Sequence, residues 1–134
     1  MKSKTLLKWL IMIIYFTLGI QITFAQSDFW EQTNGPYGGI VISIAINSSG
    51  HIFAGTYNGI FRSTDNGDNW TEINTGLTDN DVMAFAINSS NHIFAGTWGG
   101  GIFRSTDNGD NWTEINTGLT ETNIRSLAIN SSGH

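Results

Sequence analysis

The chain has 134 residues, a formal net charge of −5, one proline and no cysteine, so neither a disulfide framework nor a lipid-carrying cysteine is available to it. All three lysines fall in the first eight residues. From Gln26 onward three arginines face eleven carboxylates, a formal charge of about −8, which argues against nucleic acid and anionic membrane surfaces as partners.

Residues 1–25 read as a secretory signal. Lys2, Lys4 and Lys8 form a basic n-region. Trp9 to Ile20 is an apolar run of about a dozen residues, the length of an h-region and short for a bilayer span. Thr23-Phe24-Ala25 is a small-x-small exit, and cleavage is expected before Gln26. The alternative is an uncleaved anchor. The expected location is secreted, periplasmic or on the cell surface, with no membrane span once the signal is removed.

After the signal, helical periodicity gives way to short runs rich in Ile, Phe, Val, Thr and Trp. These alternate with Gly, Asn, Asp and Ser clusters, the pattern of strands and turns. Residues 26–39 hold a weak echo of a later strand in Phe29-Trp30-Glu31-Gln32-Thr33-Asn34-Gly35. Residues 40–81 and 82–123 then repeat one plan, and 124–134 begin it again. The first strand of each copy is Ile40 to Asn47, Val82 to Asn88 and Ile124 to Asn130. Ile44, Ile46, Phe85, Ile87, Leu127 and Ile129 make one face bulky. Ser43, Ala45, Ala84, Ala86, Ser126 and Ala128 make the other face small. Such sheets can stack on copies of themselves, bulk into hollow, with both faces buried.

A Ser-Ser turn follows, then a second strand (His51 to Thr56, His92 to Thr97) and a tight glycine turn carrying Tyr57 or Trp98. The third strand is Ile60 to Thr64 and Ile102 to Thr106; the fourth is Trp70 to Asn74 and Trp112 to Asn116. Between them Ser63-Thr64-Asp65-Asn66-Gly67-Asp68-Asn69-Trp70 returns letter for letter as Ser105-Thr106-Asp107-Asn108-Gly109-Asp110-Asn111-Trp112. The identity extends from Gly59 to Thr78 against Gly101 to Thr120.

Four short antiparallel strands in each near-identical unit predict an all-β fold, a β-propeller fragment. It would have two complete four-stranded antiparallel blades and partial strands at each end. A two-sheet sandwich competes but does not explain the period. A closed ring needs at least about four blades. The expectation is therefore a piece of a longer protein whose remaining blades are its neighbours, or else self-association.

The pattern Ser-x-Asp-x-Gly-x-x-Trp resembles the Asp-box, or BNR repeat, found in sialidases, sortilin-like receptors, some glycoside hydrolases and photosystem assembly factors. The likeness covers residue 40 to the C-terminus. It implies a propeller and makes Ser63, Asp65, Gly67, Trp70, Ser105, Asp107, Gly109 and Trp112 a structural set. Asn69 and Asn111 replace the usual Thr. On the residues themselves, Asp65 can fold onto turn N–H groups, Ser63 can add a hydrogen bond, and Asn66-Gly67 tolerate positive φ. Trp70 is expected to cover the turn and pack inward. A calcium loop is the competing reading of Asp65, Asn66 and Asp68, but the spacing lacks the alternating acids and distal glutamate of an EF-hand.

Sialidase chemistry needs an arginine triad. Arg62 and Arg104 instead hold one repeat-equivalent place, which points to packing or a rim ion pair. Gly35-Pro36-Tyr37-Gly38-Gly39 and Phe53-Ala54-Gly55-Thr56 resemble propeller xyloglucanases, but Tyr57 and Trp98 stand where that family carries its acid. Ser49 to Arg62 is similar to two-component regulator propellers. His51, His92 and His134 recur without a nearby chelating partner and read as turn-end packing. Tyr57 and Trp98 form a candidate binding rim for protein or carbohydrate. The sequence thus predicts an exported, non-catalytic scaffold or binding module without metal or cofactor. The alternatives are part of a propeller glycoside hydrolase or a periplasmic sensor.

Overall fold

The computed structural model describes residues 34–37, 39–130 and 132. The chain divides into two units, Met1–Glu31 and Gln32–His134, and every described residue belongs to the second. The signal segment, the Trp30 echo strand and His134 lie outside the described residues.

Among the described residues, eight strands form two four-stranded antiparallel sheets with consecutive order. The first holds β1 (Val41–Ile46), β2 (Ile52–Thr56), β3 (Gly59–Ser63) and β4 (Thr71–Glu72). The second holds β5 (Val82–Ile87), β6 (Ile93–Thr97), β7 (Ile102–Ser105) and β8 (Thr113–Glu114). The described residues contain no helix, and none is long and apolar enough to cross a membrane. Each first strand carries a bulge at the same place, between Val41 and Ser43 and between Val82 and Ala84.

The sheets pack face to face, β5 over β1 and β2. Gly55 shows how close the approach is. A Cβ there would stand 2.5 Å from Ser43 Oγ, 2.7 Å from Val82 Cγ1 and 3.0 Å from Phe85 Cε2. The bulky side of β5 thus enters a hollow that exists because the first sheet presents glycine and serine. Phe53, Ile60 and Ile73 from the first sheet meet Val82, Ile93, Ala95, Phe103 and Trp112 from the second in one buried cluster. Burial of this kind contributes roughly 25 cal/mol per Å² of apolar surface.

Three expectations are corrected. The fourth strands are two residues long, because Asn74 and Asn116 continue the pairing with side chains: Ile60 N–H donates to Asn74 Oδ1 and Ile102 N–H to Asn116 Oδ1, both at 2.7 Å. Residues 124–130 are not a strand. Ile124 N–H donates to the Thr97 carbonyl at 2.8 Å and its side chain lies over Gly96, but no described strand stands beside the segment to complete a ladder. Finally, the bulky face is not buried in every copy: Ile44 and Ile46 are 63% and 62% exposed, whereas Phe85 and Ile87 are half-buried against the first sheet.

Candidate functional site

The two octapeptide turns join β3 to β4 and β7 to β8, and their internal geometry is the same. Ser63 Oγ donates to Asp65 Oδ1 at 2.8 Å and accepts from Gly67 N–H at 2.8 Å. Asp65 Oδ1 accepts from Asn69 N–H at 2.9 Å, and Oδ2 from Asn69 Nδ2 at 2.8 Å. The second copy repeats every bond: Ser105 to Asp107 at 2.8 Å, Gly109 to Ser105 at 2.8 Å, and Asn111 to the two Asp107 oxygens at 3.0 and 2.8 Å. Asn66 and Gly67 have φ of 60° and 97°, Asn108 and Gly109 of 63° and 92°. These are the left-handed values that asparagine and glycine tolerate best.

Asn69 and Asn111 are therefore not neutral replacements, as the sequence alone suggests. The Asn69 side-chain amide, then its backbone N–H, then the Ser63 hydroxyl hold Asp65 below the usual carboxylate range. Asn111 and Ser105 do the same to Asp107. Hydrogen bonds to the charged form are the cause. Both carboxylates are engaged within their own turns, and the described residues contain no group of three or more His, Asp or Glu able to hold a metal ion.

What surrounds the two turns differs. Trp70 is half-buried, and its Nε1–H donates to Gly67 O of its own turn at 3.0 Å, so it covers that turn as expected. Trp112 is 4% exposed, and its Nε1–H reaches the first sheet, donating to Ile73 O at 2.8 Å. Its backbone N–H donates to Thr75 O at 2.9 Å. Trp112 therefore does not lid its own turn as Trp70 does; it bridges the sheets. Gly109 lies so near the first sheet that a Cβ would stand 2.4 Å from Ile73 Cδ1, whereas one at Gly67 would meet nothing nearer than 3.9 Å.

Around Trp112 the second turn is clamped by polar groups of the first sheet. Asn47 Nδ2 donates to Asn108 Oδ1 at 2.8 Å. Asn108 Nδ2 lies in hydrogen-bond contact with His51 Nδ1 at 2.8 Å. Arg62 Nη1 donates to Asn108 O at 2.6 Å and to Asp110 Oδ1 at 2.8 Å. Ser48 Oγ donates to Asn91 Oδ1 at 2.9 Å. The packing or rim-pair role read for Arg62 and Arg104 appears at Arg62, whereas Arg104 is exposed and makes no ion pair among the described residues; His51 takes a hydrogen bond at the seam. Asn47, Asn91 and Asn108 were missed. A signal was available for Asn47, since Asn47, Asn88 and Asn130 each recur four residues before a recurring histidine; Asn91 has none, because Gly50 holds its place in the first copy.

Tyr57 and Trp98 occupy equivalent loops and are 50% and 43% exposed. The Arg125 guanidinium lies 4.8 Å from the centre of the Trp98 ring, and Asp79 Oδ2 accepts from Gly99 N–H at 2.7 Å to brace that loop. The structure does not bring the rim aromatics and the octapeptide turns together by any hydrogen bond or ring contact among the described residues. No protein-family model matches the chain, and no curated protein matches it.

Proposed function

We propose that this chain is an exported β-propeller repeat module of the Asp-box kind, acting as a scaffold and binding surface for protein or carbohydrate rather than as a catalyst. One observation carries the reading. The two sheets are the same four-stranded unit, stacked bulk into hollow, and the acidic turn of the second unit fastens it to the first through Trp112, Asn108 and Asp110. The carboxylates that would attract a catalytic reading, Asp65 and Asp107, are engaged with their own asparagine and serine. Tyr57 and Trp98, exposed at equivalent positions, supply aromatic surface of the kind that stacks on sugars and peptides.

Glycan and peptide arrays probed with the purified chain test this. The expected result is a bound class that is lost in Tyr57→Ala/Trp98→Ala while the unfolding midpoint stays unchanged. Turnover of a glycoside by the chain, abolished by Asp65→Asn or Asp107→Asn, would overturn it. N-terminal sequencing of the exported product should begin at Gln26.

A further inference from the structure

The polar clamp between the sheets has a direction, set by two backbone groups. Ser49 N–H and His51 N–H both donate to the side-chain oxygen of Asn47, each at 3.0 Å. Exchanging the oxygen and nitrogen of that amide would set an NH2 group against two N–H donors, so Nδ2 is the atom Asn47 turns to Asn108. Asn88 in the second copy takes the same pose, accepting from Ser90 and His92 N–H at 3.0 Å. Asn108 therefore meets Asn47 with its Oδ1, at 2.8 Å, which leaves its Nδ2 for the His51 ring, also at 2.8 Å. Facing a donor, His51 Nδ1 accepts, and the proton of the neutral ring sits on Nε2. Turning the ring over puts a carbon in that place and forfeits the bond.

We infer that His51 is a proton-sensitive latch on this seam: the neutral ring closes the clamp, and a proton taken up at Nδ1 opens it. The imidazolium has a donor at both nitrogens. Its Nδ1–H and the Asn108 amino group then point at each other. Asn108 cannot offer its oxygen to the ring without turning its amino group on Asn47 Nδ2, and Asn47 is held by its two backbone donors. The charged groups around the latch do not relieve the clash. From β3, the Arg62 cation donates to Asn108 O. From the β7–β8 turn, Asp110 is paired with Arg62, and Asp107 is held by Ser105 and Asn111. The two Ser-Ser turns bring Ser48 and Asn91, which bond to each other, and His92, whose ring makes no hydrogen bond or ion pair among the described residues. No carboxylate pairs with His51 among the described residues. Opening is partial, because Trp112 and Arg62 keep their own bonds across the seam.

The unfolded chain takes up this proton near pH 6.5, as a free imidazole does, roughly. The folded chain takes it up only by breaking the latch. The unfolded state thus holds more protons in this window, and stability falls as pH falls. From about pH 7.5 to about pH 5.5 the folding equilibrium constant should drop by up to about tenfold through this one site. Two measurements on the whole chain test the latch. Long-range proton–nitrogen NMR at about pH 7.5 should show His51 as the Nε2–H tautomer. Urea unfolding across the window should show the drop in the wild type and in His92→Asn. In His51→Asn it should vanish, because Oδ1 stands where Nδ1 stood and takes no proton. Asn108→Asp should reverse the sign: a second carboxylate oxygen accepts from the imidazolium, so stability rises on acidification through the same window. An Nδ1–H tautomer at His51, or a decline of one size in the wild type and Asn108→Asp, overturns the inference. Should His51→Asn fail to fold, the tautomer and the sign in Asn108→Asp decide it.

Discussion

Two turns of identical sequence, 63–70 and 105–112, share the serine, aspartate and asparagine hydrogen bonds and differ in where the indole donates and in what lies outside them. The first joins no second sheet: Asn66 is exposed, Trp70 donates to its own turn, and Asn69 is bridged to Asn34. The second holds two sheets together: Asn108 is half-buried between Asn47, His51 and Arg62, and Trp112 donates across the seam. The octapeptide thus determines a local shape and a set of outward groups, and stacking decides whether those groups become structural.

The largest expected difference is at the tryptophans. Burying an indole removes about 150–250 Å² from water, and truncating a buried tryptophan costs roughly 3–5 kcal/mol. Trp112→Ala should reach that range. Trp70→Ala, half-buried on its own turn, should cost about half as much. Urea midpoints order the pair, and equal losses would erase the distinction. Next come the asparagines. Both sit at positive φ, so Asn66→Ala and Asn108→Ala share a backbone cost. Asn108→Ala also leaves Asn47 Nδ2 and His51 Nδ1 without a partner at a seam where Asn47 is 7% exposed, adding about 1–3 kcal/mol by thermal or urea unfolding.

How far the sequence carries depends on whether the partner of a residue lies within its own repeat. The alternation of Ser43, Ile44, Ala45 and Ile46, the positions of the turns, and the roles of Ser63, Asp65 and Gly67 were legible because their partners are a few residues away. The lengths of β4 and β8 were not, since Asn74 and Asn116 replace backbone pairing with side chains. The task of Trp112 was hidden for a different reason. A residue identical to Trp70 cannot reveal from its own neighbourhood that it bonds to Ile73, 39 positions earlier. The same limit concealed the exposure of Ile44 and Ile46, which depends on what stands against the sheet.

A smaller effect is expected in the hollow. Ser43 Oγ is buried with no hydrogen-bond partner, and the second copy carries Ala84 at that place. Ser43→Ala should therefore stabilise by about 1 kcal/mol in urea, because the cost of an unsatisfied hydroxyl is removed. Acid sharpens what the turns share. Asp65 and Asp107 have lowered pKa values in the folded state, so their contribution is complete above the ordinary aspartate value near 3.9. It is lost as pH falls through the folded values. Urea midpoints should decline below about pH 4, and Asp65→Asn/Asp107→Asn should flatten that decline.

Hydrogen exchange of the two indole N–H groups, followed by NMR in native buffer, tests most directly whether the second turn clasps the sheets. Trp112 Nε1–H should exchange only through global unfolding and slow in step with total stability, while Trp70 Nε1–H should exchange faster through local opening of its own turn. Equal protection of the two, or faster exchange at Trp112, would contradict the account.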